Sequence, residues 1–229
     1  MDRQVFAKML YASFKNEERL LMSNTMPLYN PLEPGKKYPM VFEKIFRKEQ
    51  VKVSLRPLSV PGDWHDMGGW FMDEFARGVV PVAQLPVNQL KETFTAMLQC
   101  DFAQPFIGFL NDHPNFLIEI SEGGKQINEW NEGAHEVEAG DQFIRLILSP
   151  ALLTMRHLGK LALHTSLEYF FSHQQVERIV WELNEKDKHY IHLATRSGFE
   201  ERRLSDWPGI RIYLYTRRHF TLQRMGSLQ

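Results

Sequence analysis

The sequence is poor in cysteine, in long apolar runs and in net charge. Its single cysteine, Cys100, excludes an internal disulfide and a cysteine-based metal site. No apolar run approaches the roughly 18 residues of a membrane span, and the opening MDRQVFAKMLYASFKNEERLL lacks the apolar block of a secretory signal. With 27 lysines and arginines against 28 aspartates and glutamates, we expect neither nucleic acid nor a membrane as the main partner. A reducing, cytoplasmic location is expected.

The length of 229 residues and the apolar share of 43% suit one domain of roughly 150 residues with an addition. We interpret residues 1–50 as that addition. Val5, Met9 and Phe14 lie near helical spacing and predict a helix over about 3–22, and the following PLYNPLEPGKKYP is typical of an extended connector. Residues 51–218 are the predicted core domain, and 219–229 are a predicted tail.

The charges are unevenly distributed along the chain. Residues 101–141 contain nine carboxylates and one lysine, a charge of −8, whereas the chain from Arg196 onward contains seven arginines and three carboxylates, a charge of +4. An acidic stretch can draw an amine substrate, and a basic stretch can hold phosphates. The alternative interpretation is a solvated loop and a solvated tail.

Apolar periodicity predicts an α/β unit after residue 50. Asp63 is expected to cap the helix that begins at WHDMGG, and Gly198 is expected to end the last helix of the core as its C′ residue. The predicted strands are 51–58, 104–111, 115–121, 141–149, 178–183 and 210–217, and further helices are predicted over 87–99, 158–173 and within 188–199. This order predicts a mixed sheet with helices on its faces.

Several stretches resemble a known family. The segment from strand 178–183 through Asp187 to Ser197-Gly198-Phe199 resembles the GNAT superfamily of N-acetyltransferases. RPLSVPGDWHDMGGWFMDEF, QPFIGFLNDHPNFLIEI and EAGDQFIRLIL are similar to its branch that acylates hydroxylated lysine or other amines in siderophore biosynthesis, to which aminoglycoside 6′-N-acetyltransferases are related. The resemblance covers about residues 51–218. It implies the α/β GNAT acyltransferase fold, a mixed splayed sheet flanked by helices, here with an N-terminal helical extension.

The resemblance implies acetyl-CoA or another acyl-CoA as co-substrate, threaded between strands 141–149 and 178–183. Its diphosphate would bind at the N-terminus of the helix after the first strand, where free N–H groups and the helix dipole favour anions. The implied cofactor-binding residues are Ile147, Leu148, Arg156, His157, Leu158, Gly159, Lys160, Leu161 and Asp187. Arg156 and Gly159 match the family's phosphate turn, whereas Leu161 stands where the family has Gly or Ala and could crowd the backbone approach.

The family's polar residues are altered in this chain. The siderophore branch has a His on the first central strand and an Asp at the end of the second, and these positions hold Arg145 and Asn184. The wider family's Asn and its thiolate-protonating Tyr fall on Asp187 and Ala194. Arg145 cannot accept a proton at neutral pH. Two hypotheses remain open at this stage: either the base has moved, with His135, Glu138 and Glu182 as candidates, or catalysis is lost and binding remains.

The predicted catalytic residues are therefore Arg145, Asn184 and His135, and the predicted substrate residues are Glu138, Asp141 and Trp64. No metal site is expected, because His189-x-x-His192 has no evident third ligand.

The expected function is acyl-CoA-dependent transfer of an acetyl or other acyl group to an amine or hydroxylamine, as in siderophore biosynthesis. A catalytically degenerate GNAT fold that binds a ligand or a partner is the first alternative, and an aminoglycoside-type N-acetyltransferase is the second. The expected partner is a small-molecule amine. Residues 1–50 could pack on their own domain or reach another protomer, as in a homodimer.

Overall fold

Within the described residues, eight strands form one mixed sheet in the order β1-β2-β3-β4-β5-β6-β8-β7. The computed structural model describes residues 27–72, 87–123, 138–202 and 209–226. The strands are β1 Phe42–Phe46, β2 Val51–Pro57, β3 Ala103–Leu110, β4 His113–Glu122, β5 Asp141–Leu148, β6 Arg178–Asn184, β7 Glu200–Arg202 and β8 Ile210–Thr216. The helices are α1 Val60–Met67, α2 Val87–Gln99, α3 Pro150–Thr154, α4 Arg156–Phe171, α5 Lys188–Arg196 and α6 Arg217–Gly226, with a 3₁₀ helix at Gly68–Met72.

The predicted fold class is confirmed, and most predicted elements lie within one or two residues of the observed ones. β3 and β4 form the expected antiparallel hairpin, and β7 pairs antiparallel with β8. Gly198 follows α5 with a φ of +93°, a left-handed conformation in which glycine avoids the steric cost of a Cβ. The prediction works here because the strands are short apolar runs bounded by turn residues, although the central strands are buried on both faces, as in β3, where all eight residues are buried.

The sheet begins earlier in the chain than the core predicted at 51–218. β1 pairs with β2 from Phe42↔Leu55 to Phe46↔Val51. Leu28 and Leu32 are also buried in the apolar clusters, so residues 28–46 pack as part of the same unit. The predicted helix over 3–22 lies outside the described residues.

The first helix of the core starts differently from the prediction. α1 begins at Val60, with Ser59 in the N-cap position. Asp63 is buried and accepts hydrogen bonds from the Ser59 backbone N–H and from Arg56 Nη1, both at 2.8 Å. The prediction that Asp63 is the N-cap residue is wrong, because the helix starts three residues earlier at Val60. The Asp63 carboxylate instead neutralises the buried Arg56 guanidinium, which would otherwise be an unpaired charge.

The chain after β8 forms a helix rather than a plain tail. Arg217, its first residue, donates from Nη1 to the Phe171 carbonyl at 2.8 Å and from Nη2 to the carbonyls of His173 and Val176 at 2.6 and 2.5 Å. These carbonyls belong to the end of α4 and the turn that follows. A guanidinium placed there satisfies acceptors that the end of a helix leaves open.

The centre of the sheet is a parallel pair that separates soon after it starts. β5 and β6 are paired only at Asp141↔Arg178, Gln142↔Ile179 and Phe143↔Val180. Beyond these positions β5 stays paired with β4 as far as Leu148, and β6 stays paired with β8 as far as Asn184. The two strands therefore diverge toward their C-terminal ends, which is the splay that the family resemblance implies.

An ion-pair cluster holds the closed end of this splay. Arg178 at the start of β6 donates from Nε and Nη2 to the two carboxylate oxygens of Asp141 at 2.6 and 2.7 Å. Its Nη1 donates to Glu138 at 2.8 Å. The Asp141 side chain is 1% exposed and that of Glu138 is 61% exposed, so the Asp141 pair carries most of the interaction energy.

We expect Asp141→Asn to lower the free energy of unfolding by about 3 kcal/mol, because it leaves the Arg178 guanidinium without its buried counter-charge. Glu138→Gln is the matched control and should cost less than about 1 kcal/mol, since the Glu138 side chain is exposed. Urea denaturation of the three proteins measures both changes. Equal losses would show that burial does not decide the strength of this cluster.

Candidate functional site

A basic pocket lies at the open end of the splay, between the N-terminal turn of α4 and one face of α5. Its volume is about 830 Å³. Its lining residues are Thr154, Met155, Arg156, His157, Lys160, Lys188, His189, His192, Leu193 and Arg196. The lining contains four permanent cations and three imidazoles, and no carboxylate. Such a concave surface of one sign attracts an anion strongly.

The start of α4 adds backbone donors to this pocket. Met155 occupies the N-cap position, and its carbonyl accepts from the N–H groups of Leu158 and Gly159 at 2.9 and 3.2 Å. The N–H groups of Arg156 and His157 come before these and have no acceptor inside the helix. Together with the positive end of the helix dipole, they suit a phosphate or diphosphate. The predicted phosphate residues Arg156, His157 and Lys160 are thus brought together.

The other three residues of the predicted phosphate turn face the protein interior. Leu158 and Leu161 are partly buried and pack against the main apolar cluster. A Cβ built on Gly159 would lie 3.4 Å from Leu148 Cδ1, so this glycine lets α4 approach β5 closely. Leu161 does not line the pocket, and its departure from the family pattern therefore places no side chain in front of the helix end.

The end of β5 is joined to α5 by a tyrosine that sequence reasoning missed. The Leu148 backbone N–H donates to Tyr190 Oη at 3.0 Å, on the side of β5 that faces the splay. Tyr190 is buried, and burial is the main cause that raises the pKa of its hydroxyl. The family's Tyr position holds Ala194, four residues further along the same helical face. The sequence signal that could have revealed this residue is a tyrosine one helical turn before the position where the family has its own tyrosine.

Asp187 begins α5 and lies next to this tyrosine. Its Oδ1 accepts from the Tyr190 backbone N–H at 3.4 Å, which makes it the N-cap residue. The residue is 5% exposed, and its Oδ2 has no hydrogen-bond partner among the described residues. Burial raises the pKa of this carboxyl to about 6. The predicted cofactor contact of Asp187 stays a prediction, since the residue does not line the basic pocket.

The remaining predicted cofactor residues lie on β5. Ile147 packs in the apolar cluster on the sheet face that α1 and α2 cover, and Leu148 packs in the cluster on the opposite face. Their side chains are buried, and the Leu148 N–H already donates to Tyr190 Oη. The predicted cofactor contacts of both residues therefore stay predictions.

Arg145, a predicted catalytic residue, forms an ion pair. Its Nη1 lies 2.5 Å from Glu119 Oε1 on the neighbouring strand, and the two residues are direct partners in the β4–β5 register. Glu119 is buried, and burial raises the pKa of its carboxyl while the charge of Arg145 opposes that shift. Arg145 thus stabilises a buried carboxylate that could accept a proton from an amine.

Glu182 lies on the same face of the sheet as this pair. Arg145 follows Phe143 by two residues on β5, and Glu182 follows Val180 by two residues on β6, while Phe143 and Val180 are partners in the register. Side chains two residues apart in a strand share a face. Glu182 and the Glu119–Arg145 pair therefore stand on the two sides of the splay.

Three other predicted catalytic and substrate residues make structural contacts with neighbouring residues. Asn184 Oδ1 accepts from the Lys186 backbone N–H at 2.9 Å and forms the turn after β6. Glu138 and Asp141 bind Arg178, as described above. Their predicted roles toward the substrate stay predictions. His135 lies outside the described residues.

Trp64, the third predicted substrate residue, lies on α1 within an aromatic group. Its ring stacks on Phe71 at a centroid distance of 5.9 Å, and Lys91 Nζ lies 5.1 Å from its ring centroid. Trp64 is half-buried, so part of its ring remains open to a ligand.

The described residues contain no group of three or more His, Cys, Asp or Glu side chains that could hold a metal ion. His189 and His192 instead line the basic pocket together. No helix in the described ranges is both long and apolar enough to cross a membrane.

We expect Asp187→Asn to stabilise the protein near pH 7 and to remove part of its pH dependence. The pKa of about 6 in the folded protein lies above the unfolded value of about 3.9. The folded state therefore holds the extra proton between these values, and this carboxyl makes the free energy of unfolding fall as the pH rises through that window.

Urea denaturation of Asp187→Asn and the unaltered protein at several pH values checks this expectation. Asparagine keeps the helix cap, whereas the control Asp187→Ala loses it at a cost of about 1 kcal/mol. The advantage of asparagine should grow from about pH 4 to about pH 7. A difference that is constant over this range would show that Asp187 titrates normally.

Comparison with known proteins agrees with this geometry. The family model "Acetyltransferase (GNAT) domain" matches residues 61–207, more than half of the chain. The chain is 20% identical to an uncharacterized protein of Bacillus halodurans, with a TM-score of 0.67 over 80% of this chain and 93% of that one. It is also 20% identical to the aminoglycoside acetyltransferase AAC(6')-Ib solved with coenzyme A, with a TM-score of 0.65 over 75% and 99% of the two chains.

A spermidine N-acetyltransferase chimera made in part from the Vibrio cholerae enzyme is 14% identical, with a TM-score of 0.55 over 74% and 98% of the two chains. At these identities the structural likeness concerns the fold. Comparison with curated proteins gives no match. The family match, the splayed β5–β6 pair and the phosphate-type helix end fit acyl-CoA, the predicted co-substrate. The chain belongs to the GNAT acetyltransferase family.

Proposed function

We propose that this protein is an acyl-CoA-dependent N-acyltransferase that transfers an acetyl or other acyl group to a small-molecule amine. The basic pocket at the open end of the β5–β6 splay is the observation that carries the proposal. It combines cationic side chains, a helix N-terminus and a gap between two strands, and a phosphorylated chain-like co-substrate needs all three. Membership of the GNAT acetyltransferase family supports the same reaction type.

The bound acyl-CoA supplies a thioester: the amine nitrogen bonds to its carbonyl carbon, the carbon–sulfur bond breaks, and the thiol takes up the proton that nitrogen loses. The residues of this chain must deliver the amine in its neutral form, because an ammonium ion has no lone pair. We assign this task to Glu119, which is buried, has a raised pKa and is kept in place by Arg145. Glu182 on the other side of the splay provides a second carboxylate that attracts the incoming ammonium ion.

Two kinds of acceptor are compatible with this arrangement. The hydroxylamine acceptor of siderophore biosynthesis rests on the sequence resemblance. An aminoglycoside or polyamine acceptor is suggested by the names of the similar structures, an aminoglycoside acetyltransferase and a spermidine N-acetyltransferase. The excess of carboxylates in segment 101–141 agrees with a polycationic acceptor, although four of the nine already pair with Lys52, Arg145 and Arg178.

The second candidate function is binding of acyl-CoA without turnover. It is favoured by one observation, that Arg145, Asn184 and Ala194 stand at the positions of the family's polar groups and that Asn184 serves a turn. This candidate and the enzyme share the co-substrate site and differ only on the acceptor side of the sheet.

Titration calorimetry with acetyl-CoA, followed by a thiol-release assay with an amine panel, tests the proposal. The panel contains spermidine, kanamycin and an N-hydroxylated lysine. Binding with thiol release that depends on one acceptor is expected. Binding without release for any acceptor favours the second candidate, and no binding at about millimolar acetyl-CoA contradicts both.

We further expect Glu119→Gln to lower kcat by at least about tenfold while leaving the affinity for acetyl-CoA unchanged, because it removes the proton acceptor but not the phosphate site. Glu201→Gln, an exposed carboxylate change on β7, is the control and should leave kcat unchanged. Steady-state kinetics with the accepted amine measures both.

Since Glu119→Gln alone leaves Arg145 unpaired, the double variant Glu119→Gln with Arg145→Gln tests whether folding or chemistry is affected. It removes both charges together, so its stability should recover while kcat stays low. A kcat within twofold of the unaltered protein in either variant would contradict the role of Glu119.

A further inference from the structure

The sheet has two edge strands among the described residues, and they differ in how well they resist pairing with another chain. β7 has only three residues, Glu200–Arg202, and all three are charged and exposed. Short, charged edges of this kind discourage the addition of a further strand. β1 has five residues, contains no proline and exposes the apolar side chain of Ile45. β1 is therefore the edge that is suited to pairing.

The lysine within β1 does not protect this edge. Lys44 Nζ lies 2.7 Å from Glu168 Oε2 on α4 and 5.3 Å from the ring centroid of Phe46. Its charge is thus bound over one face of the sheet. A lysine discourages strand addition when it extends past the edge into solvent, so Lys44 leaves the edge of β1 accessible.

The backbone groups of β1 that point away from the sheet can be identified from the neighbouring strands. Lys52 on β2 donates its N–H to Asn111 Oδ1 at 2.8 Å and accepts from the Asn111 N–H at 2.9 Å, so its backbone groups point toward β3. Ile45 is the partner of Lys52 in the β1–β2 register. In such a pair both residues direct their backbone groups away from each other. Ile45, and with it Glu43 two residues before, therefore presents its N–H and C=O at the open edge.

We propose that β1 pairs antiparallel with β1 of a second copy of this chain, about a two-fold axis at Ile45, so that two sheets join into one. A two-fold interface brings the same surface of both subunits together. In this register Ile45 lies opposite Ile45 of the partner subunit, and Glu43 lies opposite Arg47 of the partner subunit. Both pairs are at positions where the outward backbone groups can exchange two N–H···O=C bonds.

The charges of the edge favour this register over its neighbours. An axis at Glu43 would place two glutamates opposite each other, and an axis at Lys44 would place two lysines opposite each other. Like charges directly opposite are destabilising, whereas a Glu43–Arg47 pair is favourable. With the axis at Ile45, Lys44 lies opposite Phe46 of the partner subunit, the same kind of ring that it already contacts in its own chain.

The exposed Ile45 side chain supplies the apolar part of the interface. The described residues expose three large apolar side chains: Ile45, Met155 and Leu222. Met155 lines the basic pocket. Contact between two Ile45 side chains across the axis would remove apolar surface from water. Leu222 on α6 is exposed to the same extent as Ile45, 56% each, and provides a matched control.

The interface is small and lies far from the candidate active site. A pairing of five-residue strands belongs to the weak class of interfaces, so we expect the dimer to dissociate in about the micromolar range. Three strands separate β1 from β5 in the sheet, and the pairing leaves the basic pocket open. The inference is thus independent of the proposed function, and either can fail without the other.

Sedimentation velocity of the full chain from about 1 to about 300 μM tests the inference, because a weak dimer forms within this range. A monomer–dimer equilibrium is expected. Ile45→Lys puts two ammonium groups at the axis and should weaken dimerisation at least about tenfold. Leu222→Lys, the control, should leave it unchanged. A chain that stays monomeric throughout, or a dimer that Ile45→Lys does not weaken, would overturn the inference.

Glu43→Arg and Arg47→Glu test the register. Each variant alone places like charges opposite each other and should dimerise at least about tenfold more weakly than the unaltered chain. An equimolar mixture restores both opposite-charge pairs and should form a heterodimer with near the original affinity. A mixture that associates no better than either variant alone contradicts the register.

Hydrogen exchange and thermal unfolding complete the test. The amides of Glu43 and Ile45 should exchange more slowly at concentrations where the dimer forms, because they become hydrogen-bonded. Exchange that does not depend on concentration at these two amides would show that the edge of β1 is not the interface. Thermal unfolding of each variant shows that a loss of dimer is not a loss of folding, since the side chains of Ile45 and Arg47 are exposed.

Discussion

The parallel pairing of β5 and β6 stops after three residue pairs, and the positions of the other functional parts follow from this constraint. The pair Asp141–Arg178 holds the strands together at their first residues. Beyond Phe143 and Val180, each strand follows a different antiparallel neighbour. The helices that leave the two strands, α4 and α5, consequently start on opposite sides of an opening. Ligands of α/β sheets commonly bind at such an opening, outside the carboxyl ends of parallel strands.

The opening separates a region of positive charge from a region that contains carboxylates. At the strand ends, α4 and α5 gather cations around a pocket without carboxylates. On the face of the sheet beside the gap stand Glu119 and Glu182, with Arg145 compensating the buried Glu119. An anionic co-substrate and a cationic acceptor would thus approach from different sides and meet between the strands. Neither region can be recognised from the net charge of −1, because a total carries no information about where the charges lie.

The sequence predicts the fold well because the strands stand out as short apolar runs bounded by polar or turn residues, and because Gly198 marks the end of α5. It misses β1, since the preceding run of Pro and Gly is dominant and the strand has only five residues. It also assigns Asp63 to a cap, although its partner Arg56 is on the preceding strand. This error arises because a local sequence pattern carries no information about ion pairs between different helices and strands.

The candidate site is predictable to a lesser degree. The cations of the α4 turn are visible in the sequence because family motifs are local, whereas the basic side chains of α5 that line the pocket show only as a His-x-x-His spacing. Tyr190, Glu119 and the commitment of Asp141 to Arg178 depend on strand register and on the approach of α5 to β5. A crystal structure with coenzyme A tests the proposed co-substrate site most directly. We expect the diphosphate at the N–H groups of Arg156 and His157 and the pantetheine chain between β5 and β6. Coenzyme A bound outside that gap would contradict the proposed site.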